Sequence, residues 1–172
     1  MADNGDLIPM DVVGVRVELP SNQPIVLLRE KDGSRYLPIW IGANEATAIA
    51  TALEGIQPPR PLTHDLMRSV IDAVGALAVR VVITEMRDSV FYADLALEVS
   101  GKEIQISSRP SDAIALAVRT GTPVFTIPGV LEEAGVHFEE DDEEEEVARF
   151  REFLEEVTVE DFLSGEDTEP SD

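Results

Sequence analysis

Met10-Asp11-Val12-Val13-Gly14-Val15-Arg16-Val17-Glu18-Leu19 is the first regular pattern of the chain. From Val13 to Leu19 the odd positions are apolar, while the even ones are Gly14, Arg16 and Glu18. That period of two predicts a strand with one buried face. Pro20-Ser21-Asn22-Gln23-Pro24 breaks it, and Ile25 to Glu30 reads as a second strand. Lys31-Asp32-Gly33-Ser34 carries the Asp-Gly signal of a tight hairpin. Arg35 to Ile41 is the third strand, and its Pro38 suits an edge or a bulge. Gly42-Ala43-Asn44 then opens a helix from Glu45 to about Glu54, with Ala46, Ile49, Ala50 and Leu53 on one face.

The same unit returns. Ala78–Glu85, Val90–Val99 and Lys102–Ser107 read as three strands joined at Asp88-Ser89 and Ser100-Gly101, and a helix runs from Ala113 to about Arg119. Glu45-Ala46 and Ile49-Ala50 match Asp112-Ala113 and Leu116-Ala117 at an offset of 67 residues, as an internal duplication would. The expected fold is therefore α+β, with duplicated strand-strand-strand-helix units forming an antiparallel or mixed sheet packed by helices. Between the units, Pro58-Pro59-Arg60-Pro61 is a turn. A helix from Thr63 to about Val74 follows it, with Leu66, Met67, Val70, Ile71 and Val74 on one face. Pro123–Ile127 reads as a further strand and Val130–Ala134 as a short helix.

Charge divides the chain. Residues 1–138 carry a net charge of -7 and residues 139–172 one of -15, out of -22 in all. The change falls at Glu139-Glu140-Asp141-Asp142-Glu143-Glu144-Glu145-Glu146, a block that repels itself and phosphate backbones alike. The expected organisation is a folded domain over 1–138, then an acidic linker and an amphipathic C-terminal helix over 139–172. That helix rests on Val147, Phe150, Leu154 and Val157, between Glu145 and Val157. Its apolar face is expected to dock on its own domain or on a partner subunit. No apolar run approaches membrane-spanning length, and the acidic start is not a secretory signal. With no cysteine there is no disulfide, thiolate zinc site or thiol nucleophile, and the cytoplasm is the expected location.

There is no phosphate loop, dinucleotide glycine pattern or zinc-spaced histidine pair. Polar groups gather instead where three helices begin, at Gly42-Ala43-Asn44-Glu45, Arg60-Pro61-Leu62-Thr63-His64-Asp65 and Ser107-Ser108-Arg109-Pro110-Ser111-Asp112. One reading is capping: Asn44, Thr63 and Ser111 accept backbone N–H groups, and Glu45, Asp65 and Asp112 favour the positive helix ends. The other is convergence on one cleft. There Glu45, Asp65 and Asp112 hold Mg²⁺ or Mn²⁺, and Arg60 and Arg109 grip a phosphodiester. His64, beside Asp65, acts as general acid or base. Trp40 is expected in core packing or a subunit contact rather than base stacking, and His137 in solvent.

Pro38-Ile39-Trp40-Ile41-Gly42, Glu45-Ala46, Arg60-Pro61-Leu62-Thr63-His64-Asp65-Leu66-Met67 and Ser108-Arg109-Pro110-Ser111-Asp112-Ala113-Ile114-Ala115-Leu116-Ala117 together resemble the bifunctional nuclease domain family, over about residues 8–136. The resemblance implies an α+β domain with nuclease activity on RNA and DNA in some members. Joined to the carboxylates and arginines at the helix starts, it gives the expected function, cleavage of RNA and single-stranded DNA with help from a divalent cation. His64, Asp65 and Asp112 become candidate catalytic residues. Arg60, Arg109 and Ser111 become substrate-binding ones, and Glu45, Asp65 and Asp112 metal ligands. A homo-oligomer, specifically a dimer, is expected because the half-open sheet and the tail helix need covering. The alternative is a non-catalytic regulatory or scaffold protein working through an oligomeric core and the acidic tail.

Overall fold

The computed structural model describes residues 6–138, which fall almost wholly within one compact unit, Met1–His137. The acidic block, the helix read over Glu145–Val157 and the second half of the expected domain division lie outside the described residues. Among the described residues eight strands form one sheet: β1 (Ile8–Glu18), β2 (Gln23–Glu30), β3 (Arg35–Trp40), β4 (Ala76–Arg87), β5 (Val90–Val99), β6 (Lys102–Ser108), β7 (Val124–Thr126) and β8 (Val136–His137). Four helices of the described residues accompany them: α1 (Ala43–Leu53), α2 (Thr63–Ala73), α3 (Pro110–Thr120) and α4 (Pro128–Ala134). The two-residue β8 carries no periodic signal, and sequence reading missed it.

The strand order is β6-β5-β4-β7-β1-β2-β3-β8. Two antiparallel meanders, β1-β2-β3 and β4-β5-β6, thus flank the short β7. β7 runs antiparallel to β1 and parallel to β4. β1 and β4 therefore run in opposite senses, as a half-turn about an axis through the sheet requires. Such a rotation keeps the two repeats' helices on one side. α1 and α3 accordingly share a face of the sheet and pack on each other, and α2 packs on α3 and β4. The duplicated α+β fold expected from the sequence is the fold observed.

The core lies between this sheet face and the helices. Leu28 and Leu37 meet Ile83, Ile49, Ile114 and Leu116 there, all essentially buried, and each such side chain contributes about 1.5–3 kcal/mol. The alternation in β1 is not the simple one. A bulge between Val12 and Gly14 shifts the register, so even-numbered Met10 and Val12 and odd-numbered Val15 all pack with the core. Gly14, at φ +154°, supplies the backbone conformation, and Val13 and Leu19 turn out exposed. At the sheet's far edge β8 pairs only with Arg35 and Tyr36. Beyond that pairing, Pro38 has a strand partner only in β2 among the described residues, the edge position its missing N–H calls for.

Helix α2 corrects the sequence reading. Met67 and Ile71 pack against the core, whereas Leu66, Val70 and Val74 are exposed, with Leu62 in line before them. One apolar patch on the helical wheel thus splits into a buried and an uncovered stripe. Trp40 is likewise outside the core. It is 47% exposed, and its indole Nε1–H donates to Glu18 Oε2 at 2.9 Å.

Candidate functional site

All three helix starts depart from the expected caps. The capping positions are Gly42, Leu62 and Arg109, so Asn44, Thr63 and Ser111 already lie within the first turn. This places Glu45, Asp65 and Asp112 at the same third helical position. A carboxylate there is able to turn back toward the cap. Asp65 does so, its Oδ2 accepting the Leu62 backbone N–H at 2.9 Å. Glu45 folds over Gly42, where any Cβ would collide with its carboxylate.

Tertiary packing then joins the three starts. Arg109 donates through Nε to Asp112 Oδ2 at 2.7 Å and through Nη2 to Asp112 Oδ1 at 3.1 Å. The same Nη2 lies 3.3 Å from Glu45 Oε1. His64 Nε2 is 3.0 Å from Asp112 Oδ1. Glu45 of α1, His64 of α2 and Arg109 with Asp112 at the head of α3 therefore form one continuous network. Asp65, next to His64, is held from the other side by Arg119, whose Nε donates to Asp65 Oδ1 at 2.7 Å. Arg119 is 6% exposed and also caps the Ala115 carbonyl at 2.8 Å. Sequence reading took Arg119 for the end of a helix. No local spacing signals its pairing with Asp65, 54 residues away in the chain.

Two further candidates stand apart. Arg60 is exposed on the loop before α2, with no ion pair or hydrogen bond among the described residues. Ser111 is 5% exposed. His137 is exposed, with Nδ1 3.4 Å from Ser34 Oγ.

The electrostatics follow from these pairings. Burial pushes the Asp112 carboxyl up, but hydrogen bonds from Arg109 and His64, with the Arg109 charge, hold it below the usual carboxylate range. Asp65 is also held low, chiefly by the Arg119 hydrogen bond and then by the Leu62 N–H. The Arg109 guanidinium is raised in turn by its bonds to Asp112. An ionised Asp112 facing His64 favours the tautomer with the proton on Nε2, leaving Nδ1 as the basic nitrogen.

A divalent cation does not fit this donor set. Asp112 and Glu45 are both turned onto Arg109, and Asp65 is spent on Arg119 and a backbone N–H. No group of three acidic, histidine or cysteine side chains stands together for a metal among the described residues. What the cluster offers instead is a carboxylate-oriented imidazole beside an arginine. Arg109 is 65% exposed, and its Nη1 has no partner among the described residues. Among the described residues, no helix is long and apolar enough to cross a membrane.

Known proteins carry the same domain. The bifunctional nuclease domain matches residues 26–139. An uncharacterised protein of Mycobacterium tuberculosis is 47% identical over 159 residues, covering 88% of this chain and 95% of that protein. Bifunctional nuclease 1 of rice (Oryza sativa subsp. japonica) is 35% identical over 104 residues, 58% of this chain but 31% of the plant protein. Bifunctional nuclease 1 of Arabidopsis thaliana is 29% identical over 105 residues, 59% of this chain and 32% of the other. The plant proteins are thus about three times the length of the part they share. The matched segment takes in Glu45, His64, Asp65, Arg109, Asp112 and Arg119, and the chain belongs to the bifunctional nuclease domain family.

Proposed function

We propose that this chain cleaves phosphodiester bonds in RNA and single-stranded DNA, using His64, Asp112 and Arg109. The carrying observation is the chain of contacts Arg109–Asp112–His64, with 2.7 Å on one side of the carboxylate and 3.0 Å on the other. Asp112 orients the imidazole, and His64 Nδ1 takes the proton of the attacking oxygen. As the new O–P bond forms and the old one breaks, the same nitrogen returns a proton to the leaving oxygen. Arg109 Nη1 holds a non-bridging phosphate oxygen. No step is assigned to a metal, because the carboxylates expected to hold Mg²⁺ or Mn²⁺ are paired with arginines. The cysteine-free chain suits a reducing compartment, and the cytoplasm is the location we assign. The acting form is a homodimer, a reading supported by the uncovered apolar side chains of α2 and β6.

Purified full chain on labelled single strands tests this, with added Mn²⁺ and with chelator, beside His64→Ala and Asp112→Asn. Loss of cleavage in both variants supports the assignment. Cleavage unchanged in both overturns it.

The exposed stripe on α2, together with the net charge of -22, favours a second reading: a non-catalytic scaffold acting through an oligomeric core and acidic tail. Under that reading the unaltered chain cleaves no strand in any metal. Neutralising Glu143 to Glu146 as glutamines then abolishes capture of its partner.

A further inference from the structure

The two edges of the sheet are treated differently. At one end β3 carries Pro38 and is partly paired by β8, which blunts it. At the other end β6 runs for seven residues, and among the described residues only β5 pairs with it. It is exposed at every position but the last. Five consecutive residues, Ile104-Gln105-Ile106-Ser107-Ser108, are uncharged. An open strand of that length and composition is a template for another strand.

Register shows which strand suits it. Ile104 lies opposite Leu97 and Ile106 opposite Leu95, and both leucines belong to the core. Lys102, Ile104, Ile106 and Ser108 therefore share the helix-bearing face, but Ile104 and Ile106 remain 45% and 44% exposed. Pairing β6 antiparallel with a second β6 about Gln105 is the register that engages all seven residues. It sets Ile104 against Ile106 twice over, so that four isoleucines cover one another on the core side. Glu103 meets Ser107 and Lys102 meets Ser108, so no like charges oppose. The same strand runs straight into Arg109 at the head of α3.

We propose that two copies of this chain pair through β6 about Gln105, and that the pairing places the partner subunit's Lys102 opposite Ser108, beside Arg109. Each cleft then gains a cation that its own chain does not supply. This second element rests on the nuclease reading; the pairing itself does not. The added cation offsets the acidic surroundings in which Arg109 is shared between Glu45 and Asp112.

Sedimentation of the full chain with Ile104→Lys and Ile106→Lys tests the pairing. The expected result is a dimer for the unaltered chain and at least about tenfold weaker association for the variant. Because the chain has no cysteine, Gln105→Cys gives an independent readout. Oxidation should yield a covalent dimer far faster than for Ser89→Cys in the exposed β4–β5 turn. Unchanged association in the lysine variant, or cross-linking of Gln105→Cys no faster than the control, overturns the pairing. Lys102→Glu tests the added cation: dimer mass is retained and single-stranded oligonucleotide binding at low salt weakens by about tenfold. Unaltered binding in that variant overturns the contribution of Lys102. If the unaltered chain binds no oligonucleotide, the nuclease reading fails while the sedimentation and cross-linking results stand.

Discussion

His64 Nε2 and Asp112 Oδ1 stand 3.0 Å apart although 48 residues separate them. One belongs to the first turn of α2 and the other to the first turn of α3. The pair therefore both fastens two helices and orients an imidazole. Its two consequences are separable by measurement.

Removing the imidazole should stop the chemistry. His64→Ala and Asp112→Asn are each expected to lower cleavage of a single-stranded substrate by about 100-fold or more, the range general acid–base groups supply. Thermal melting measured alongside separates this from unfolding, since a folded variant retaining full activity contradicts the role.

Glu45 restrains Arg109. The pair at 3.3 Å is formed by a guanidinium that is 65% exposed, so losing it should cost less than about 1 kcal/mol. Glu45→Gln is expected to leave stability nearly unchanged and to tighten binding of a short oligonucleotide several-fold at low salt. Gly42→Ala should act in the same direction, because its Cβ displaces the Glu45 carboxylate. Weaker binding in both variants would show Glu45 to be a positive contributor.

Arg119 is structural. With 6% of its side chain exposed and its Nε on Asp65, Arg119→Leu leaves a carboxylate without its counter-charge. The expected cost is about 3 kcal/mol, near the lower end for breaking a buried pair because Asp65 keeps some solvent access. Urea unfolding midpoints measure it, and a change within about 0.5 kcal/mol would be that of an ordinary surface site.

Acid should weaken the fold through the same groups. Asp65 and Asp112 titrate below the usual carboxylate range when folded, and near pH 4 when unfolded. The unfolded chain therefore binds protons first as pH falls. The stabilisation is complete above about pH 4 and disappears as pH drops through the lowered folded values. Midpoints recorded from neutrality into that acid range should fall less steeply for Asp65→Asn than for the unaltered chain. Parallel curves would remove Asp65 from the account.

Much of this was legible in one dimension. Strand alternation in Val90–Val99, the Asp-Gly hairpin and the repeat of Glu45-Ala46 at Asp112-Ala113 are local patterns, and local patterns survive in sequence. The split of the α2 face was not legible. Leu66 and Met67 are both apolar and adjacent in the chain, and the position of α3 and β4 decides which is covered. The shift at Val12/Gly14 was hidden for a similar reason, since a bulge alters which face a residue takes without altering its apolar character. Among the candidate residues, the helix starts carried the signal for Glu45, His64, Asp65, Arg109 and Asp112. Arg119 came to Asp65 across 54 residues, without a motif.

The sequence by itself determined most of the elements, their duplication and the first-turn carboxylate shared by three helices. Periodicity and first-turn carboxylates act over a few residues, and their physics needs no partner. Only the tertiary structure decided what those carboxylates do. An ionised group takes whichever cation folding brings within hydrogen-bonding distance, and here those cations are Arg109 and Arg119. Coulombic and hydrogen-bond energies depend on separation in space, which two helices placed about a half-turn of the sheet define and residue spacing does not.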